Sequence, residues 1–405
     1  MTELERGQTR ELTITRMAHG GEGIAELDGR VVFVRGAYPG DVVDATITQV
    51  KKRFARADLD SVSTPGPLRV DQSCPAAAAG AGCCDFGDLD PAQEIDLKAD
   101  ILVGQLTRLG RATDLPAPEL INLEPARGWR TRVRLGVDKE GRAGFRARAS
   151  HDVVHIPCTQ VVPGLLEGLV GENARAFTPG AEVVAVLDSE GVRHVVETRK
   201  APRGRRVEKV TDVLEGSGTV TERADGHTFR FPATAFWQAH TQAPDAYTGV
   251  IRRWLSDLGD SDNTVGWDLY GGVGLFVPAL ADSLGEGATI HSVDYSPAAA
   301  ELTQDTLEPY GLEIHNAMVE KTVETLPTPR VVVLDPPRTG AGDDVVAGVA
   351  KKQPERIIHV GCDPATFSRD VAAWGENGYR IARLAVINAF PGTHHFEVVA
   401  ELTRK

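Results

Sequence analysis

From about residue 240 onward the chain alternates helix-like and strand-like segments, and this alternation constrains the fold more than any other feature of the sequence. Helical spacing near Asp245 to Leu255 is followed by an apolar strand, Thr264 to Asp268, and then by a helix from Val277. The pattern repeats with strand Thr289 to Asp294, a helix from Pro297, strand Val331 to Leu334, a helix near Val345 to Lys351, strand Arg356 to Val360 and a helix from Pro364. Strands separated by helices pair in parallel through crossovers, so the expectation is a doubly wound α/β sheet covered on both faces.

The rest of the chain reads differently. At 405 residues it exceeds what a single core supports, and two or three domains are expected. Short strand-like runs (Leu12 to Ile14, Val31 to Val34, Val42 to Ile47, Ala57 to Val62) with turns at Gly20-Gly21 and Asp28-Gly29 predict a small antiparallel, OB-like barrel within residues 1–66. Ser63 to Pro67 reads as a linker. Residues 67–225 form a β-rich central domain with strand-rich stretches at about 129–156 and 180–213. A helix over 91–110 is expected to pack on the third unit, residues 226–405.

In a parallel sheet ligands gather at the carboxyl ends of the strands. The first strand ends in Asp268-Leu269-Tyr270-Gly271-Gly272-Val273-Gly274, whose glycines let a ligand approach the backbone. Asp294 ends the next strand, where a carboxylate can take both ribose hydroxyls of an adenosine. The D-x-Y-G-G-x-G form, without the G-x-G-x-x-G phosphate fingerprint, points to S-adenosylmethionine rather than a dinucleotide. Asp335-Pro336-Pro337-Arg338 follows the next strand, its prolines holding Asp335 at the mouth of the sheet.

Cys362 ends the strand after that. Asp363 and Pro364 make a good N-cap and first helical residue, so the thiol lies beside a helix N-terminus, and thiolate formation is expected. Farther on, His394, His395 and Glu397 precede an apolar strand and are candidates for proton transfer. A buried structural cysteine and plain strand-ending turns are the bland alternatives.

Five cysteines in a long chain with a polar N-terminus and no apolar run of about 20 residues predict a soluble, cytoplasmic protein without disulfides, and no membrane partner. Setting Cys362 aside leaves Cys74, Cys83, Cys84 and Cys158. Four thiolates hold one iron–sulfur cluster or one zinc; adjacent Cys83-Cys84 and the lack of C-x2-C spacing favour a [4Fe–4S] cluster, with four unrelated thiols as the remaining alternative.

The net charge of −13 argues against non-specific coating of nucleic acid. Local basic patches stand out against it. Arg127 to Arg148 holds eight basic residues against two acids, and Arg130, Arg132 and Arg134 share one face of a strand; a second cluster runs from Arg199 to Lys209. Lys51-Lys52-Arg53-Phe54-Ala55-Arg56 sets four cations around an aromatic ring, as an RNA-binding surface or a charge-guarded edge strand would.

Taken together these residues resemble the bacterial RNA uracil-C5 methyltransferase family. The resemblance covers nearly the whole chain and rests on Cys362-Asp363-Pro364-Ala365-Thr366, similar to the family's S-C-N-P-x-T, on His395-Phe396-Glu397, similar to its H-x-E, and on Phe236-Trp237-Gln238, similar to its F-x-Q. It implies an N-terminal TRAM domain, a central iron–sulfur site and a Rossmann-like, S-adenosylmethionine-dependent domain that forms 5-methyluridine in ribosomal RNA (23S) or tRNA, as a monomer. It makes Cys362 the nucleophile, Glu397 the base, and Gln238, Tyr270, Asp294 and Asp335 cofactor contacts. Cys74, Cys83 or Cys84, and Cys158 fall on cluster positions, although C-x8-C-C replaces the family's C-x5-C-x2-C.

Two readings compete with a uracil methyltransferase. One is an RNA-binding or redox-sensing iron–sulfur protein whose methyltransferase fold is inactive; retention of both Cys362 and Glu397 argues against it. The other is methylation of a ring or exocyclic nitrogen, where Asp-Pro-Pro also occurs but no cysteine is needed.

Overall fold

The computed structural model describes residues 4–203, 206–295 and 304–405, with side chains left out over 201–207. The helix expected from Pro297 lies outside the described residues, as do Gly204 and Arg205 of the Arg199 to Lys209 cluster.

The alternating segment forms the expected doubly wound sheet. Eight strands lie in the order Gly311–Asn316, Thr289–Asp294, Val265–Leu269, Val331–Leu334, Arg356–Gly361, Glu397–Arg404, Tyr379–Asn388 and Glu119–Asn122. The first five are parallel. Side-chain alternation splits each central strand between two cores. Val332, Leu334 and Ile357 face one apolar layer, while Val331, Val333, Ile358 and Val360 face the other. The order reverses beside Val265–Leu269, which opens the crevice where ligands of such sheets sit.

The sixth and eighth positions depart from a simple alternation. Glu397–Arg404 runs antiparallel to Arg356–Gly361, with Val398 opposite Gly361. Glu119–Asn122, which by its place in the sequence belongs to the expected central unit, pairs in parallel with Tyr379–Asn388 at the sheet edge. The helix Glu94–Arg108 packs its apolar face, with Ile95, Leu102 and Leu106, into the same core as Trp374 of the helix Pro364–Glu376.

The N-terminal unit is the expected small barrel-like unit, a curled six-stranded half-barrel, with one departure from antiparallel pairing. Arg30–Arg35 and Phe54–Thr64 pair in parallel, and the end strands Thr9–Thr13 and Arg16–Met17 do not pair with each other. Between those two, Ile14 and Thr15 donate from their amides to the Asp41 and Ile24 carbonyls at 2.9 Å each, so one bent segment passes from pairing with Val42–Val50 to pairing with Glu22–Leu27. Lys51 to Arg53 stand exposed at the tip of the hairpin joining Val42–Val50 to Phe54–Thr64. The central unit is a six-stranded antiparallel sheet with a two-stranded hairpin beside it.

One buried ion pair ties helix Glu94–Arg108 to the sheet. Lys98 is wholly buried, its Nζ 2.5 Å from Glu94 Oε1 and 2.7 Å from Asn388 Oδ1. Glu94 in turn accepts from the Gly392 amide at 2.9 Å. Removing one partner of such a pair strands the other charge without water. Lys98→Ala is therefore expected to cost about 3–5 kcal/mol in urea denaturation, and a loss below about 1 kcal/mol would contradict this account.

Candidate active site

The carboxyl edge of the sheet is built for close approach. Tyr270 follows Val265–Leu269 in a left-handed conformation (φ 63°), and its amide donates to Val293 O at 2.8 Å. Buried Asp268 accepts from Ser292 Oγ at 3.0 Å, and burial pushes its carboxyl up to about 7. A methyl group at Gly271 would collide with the Asp268 carboxylate and the Ser292 hydroxyl, so only glycine fits there. The Gly272 amide donates to Asp294 Oδ2 at 3.0 Å, which orients the acid that ends the neighbouring strand. Asp335 is tied back to Leu269 O at 3.2 Å by its own amide.

Cys362 occupies the turn between strand Arg356–Gly361 and helix Pro364–Glu376. Asp363 caps that helix, accepting from the Ala365 and Thr366 amides at 3.0 and 2.8 Å, with Pro364 in the first turn. His19, in a turn of the N-terminal unit, reaches Asp363 Oδ2 at 3.1 Å, so the Cys362 turn also touches that unit. Glu397 arrives from farther along the chain. Because its strand is antiparallel, its beginning lies at the edge where the parallel strands end, beside Gly361 and Cys362.

The six residues predicted for catalysis and cofactor binding meet in one cavity of about 990 Å³: Gln238, Tyr270, Asp294, Asp335, Cys362 and Glu397 line it together. Arg130, Arg132, Arg134 and Arg338 line it too, with Phe236 at its lip, 76% exposed.

The electrostatics correct one expectation. Burial, reinforced by Glu397 and Asp335, pushes the Cys362 thiol up to about 12, against a lowering by Arg338. A helix terminus contributes at most about 1–2 kcal/mol, too little to offset desolvation and two carboxyl groups. The free protein thus holds a protonated thiol. Burial pushes Asp335 up to about 7 and lifts Glu397 well above the ordinary range, with Asp335 adding to the effect. Among the described residues Glu397 Oε2 and the Tyr247 hydroxyl are buried without a hydrogen-bond partner. Tyr247 feels Glu397, Asp335 and Cys362, yet in the sequence nothing marks it, since it looks like one more apolar position of a helix. His395 is held neutral, pushed down to about 3 by burial and by neighbouring His394.

Four of the eight basic residues of the stretch pair with acids, three of those acids coming from distant segments. Arg132 pairs with Glu222 at 2.8 Å, Arg134 with Glu182 at 2.7 Å, Arg142 with Asp138 at 2.9 Å and Arg148 with Asp85 at 3.1 Å. Arg130 differs: no carboxylate pairs with it among the described residues. It stacks on Trp129 at 4.5 Å, and the thiols of Cys158, Cys84 and Cys83 act on its charge.

The ligand atoms of Cys74, Cys83, Cys84 and Cys158 all lie within 4.8 Å of one another, three of these residues being buried. Four converging thiols beside an otherwise unbalanced guanidinium are a donor set that fits an anionic metal centre such as an iron–sulfur cluster. The segments carrying these cysteines also grip the loop before Glu397. Asp85 Oδ2 lies 2.6 Å from His394 Nδ1, the Phe86 amide donates to Gly392 O at 3.0 Å, and Gln160 Nε2 donates to Pro391 O at 2.8 Å.

The sheet order and its ligand edge define a Rossmann-like methyltransferase. A TRAM domain model matches residues 3–59 and a tRNA (Uracil-5-)-methyltransferase model matches residues 325–405. Over the whole chain and 96% of its own length, an uncharacterised RNA methyltransferase of Corynebacterium efficiens is 55% identical, and one of Streptomyces coelicolor is 34% identical over 98% of this chain and 93% of its own. The chain belongs to this family of TRAM-containing RNA methyltransferases of the uracil-5 type. In fold it is similar to the Pyrococcus abyssi tRNA (uracil-54, C5)-methyltransferase solved with S-adenosyl-L-homocysteine, with a TM-score of 0.70 and 21% identity, covering 97% of this chain and 99% of that one.

A protonated Cys362 has a direct consequence. Its labelling by iodoacetamide, followed by mass spectrometry, is expected to keep rising from about pH 7 through about pH 10, because only the thiolate reacts. A plateau reached below about pH 8.5 would mean a preformed thiolate and a wrong account of the site.

Proposed function

We propose that this protein transfers the methyl group of S-adenosylmethionine to carbon 5 of a uracil in ribosomal or transfer RNA, through a covalent bond between Cys362 and carbon 6 of the base. The observation that carries this reading is the meeting of Cys362 and Glu397, thirty-five positions apart, in one cavity with the cofactor-type acids Asp294 and Asp335.

Uracil C5 is a poor nucleophile on its own. Addition of the Cys362 sulfur to C6 pushes electron density onto C5, and the resulting enolate takes the methyl group from the sulfonium, leaving S-adenosylhomocysteine. Glu397 then removes the C5 proton, the C5–C6 double bond re-forms and the sulfur leaves as thiolate. Glu397 must be ionised before it can take that proton; its raised proton affinity then makes it a strong base, and the Arg338 charge favours the ionised form. The thiol proton passes to water as the base enters and is regained after the sulfur leaves, and the Arg338 charge is what favours the thiolate in between.

Gln238, Tyr270, Asp294 and Asp335 would contact the cofactor. Arg130, Arg134 and exposed Phe236 at the cavity, with the Lys51 to Arg53 tip, would hold RNA around a base turned out of its stack. A [4Fe–4S] cluster on Cys74, Cys83, Cys84 and Cys158 would anchor the segments that grip the loop before Glu397. Among the described residues no helix is long and apolar enough to cross a membrane, in keeping with a single chain working on RNA in the cytoplasm.

Cys362→Ala is expected to abolish methyl transfer while leaving cofactor affinity intact by calorimetry; normal transfer by this variant would end the mechanism. Glu397→Gln should cut turnover by about 10²–10⁴-fold and accumulate a methylated protein–RNA adduct visible as a gel-shifted band. Unaltered turnover without that band would remove Glu397 from its role. Anaerobically purified protein should contain iron and acid-labile sulfide, both lost in Cys158→Ser; zinc or no metal would reject the cluster.

A further inference from the structure

Outside the cavity, a second group of metal-ligating side chains lies on the flank of the catalytic sheet. His291 belongs to strand Thr289–Asp294, and Glu313 and His315 to the edge strand Gly311–Asn316. In the parallel register His291 stands opposite Glu313, and Val293 opposite His315, so strand periodicity turns all three side chains to one face.

Their spacing is that of ligands around one ion. His291 Nδ1 is 3.1 Å from His315 Nε2 and 3.3 Å from Glu313 Oε2, and the ligand atoms of the trio lie within 4.8 Å of one another. Zinc binds imidazole nitrogen and carboxylate oxygen at about 2.0–2.2 Å, and a tetrahedron with such bonds has edges of about 3.3–3.5 Å. Two of the three separations already sit close to that edge length.

We infer that His291, Glu313 and His315 form a binding site for a divalent ion of the zinc class, with two nitrogens, one oxygen and a fourth position open to water. The chemistry of the trio agrees. His291 is 3% exposed and presents its Nδ1 to both partners, and an imidazole nitrogen is a ligand that such an ion accepts. Glu313 is exposed and supplies both the negative charge and an entry path. None of the three lines the catalytic cavity. The ion would clip an edge strand, paired on one side only, to the strand that ends in Asp294.

The test uses the full-length protein, dialysed against chelator, with cobalt(II) as a spectroscopic probe and zinc in calorimetry. Cobalt in a nitrogen–oxygen site absorbs without the thiolate charge-transfer band that binding at the four cysteines would bring, so the two sites are told apart. One equivalent of this nitrogen–oxygen type is expected, together with a rise in melting temperature. Because His291 is buried, the variants are Glu313→Gln and His315→Gln. Each should weaken this equivalent by more than about tenfold, since even outer-shell partners of a metal matter by about 10–100-fold. Methyl transfer is read in parallel and should be retained in both. If the wild type binds no ion with the nitrogen–oxygen signature, or if both variants bind it unchanged, the trio is only a hydrogen-bonded seam and the inference falls. Loss of methyl transfer in the wild type would instead strike the proposed function.

Discussion

The arrangement of this molecule turns on a buried charge pair that has to be satisfied from several directions at once. Lys98 and Glu94 sit on one helical face in the central unit, yet their remaining hydrogen-bonding capacity is filled by Asn388, the Phe390 carbonyl and the Gly392 amide of the catalytic unit. Taking two ions out of water is tolerable only when geometry and extra hydrogen bonds compensate, so the helix and the loop over 388–392 specify each other's position. That loop is also held through Pro391 O, which accepts from Trp129 and Gln160, and through Gly392 O, which accepts from Phe86. Residues next to the cysteines and residues leading to Glu397 thus share one hydrogen-bonded body, although they lie about 300 positions apart.

Much of the ligand edge is legible in the sequence, for a topological reason. Parallel strands all finish at one edge, so Tyr270, Asp294, Asp335 and Cys362 are brought together by nothing more than their local positions at strand ends. Glu397 is legible only as a motif, since nothing local says that its strand reverses direction and enters between Arg356–Gly361 and Tyr379–Asn388. The short run Glu119–Asn122 has no periodicity that could assign it to one sheet or another; it joins the catalytic sheet because Tyr379–Asn388 offers an open edge. Charges are the least legible. The run of arginines between 127 and 148 suggests a bare basic face, but Glu222 and Glu182 come from segments far along the chain and cover Arg132 and Arg134.

The same distance effect governs the thiol. A cysteine beside a helix N-terminus invites the expectation of an easy thiolate, and the local geometry is indeed present, cap and all. What decides the outcome is the company that the fold brings. Asp335 and Glu397 face the sulfur in a buried setting; burial makes both carboxyls resist ionisation, and Asp335 adds to the effect on Glu397. An acidic pocket of this kind favours species that carry their own positive charge, and it keeps the sulfur quiet until an occupant alters the balance.

The reversed strand Glu397–Arg404 also makes the site sensitive to counting. Side chains alternate faces along a strand, so a slip of one residue against Arg356–Gly361 would turn Glu397 to the opposite side while leaving Cys362 where it is. Under the proposed mechanism, a chain paired in that way would keep the group that attaches to a base and lose the group that lets go. The apolar residues Val398, Val399, Ala400 and Leu402, shared between two separate cores, make such a slip costly by setting neighbouring residues against different layers. In the proposed reaction, hydrophobic sorting along a single strand would therefore separate an enzyme that turns over from a protein that traps its own substrate.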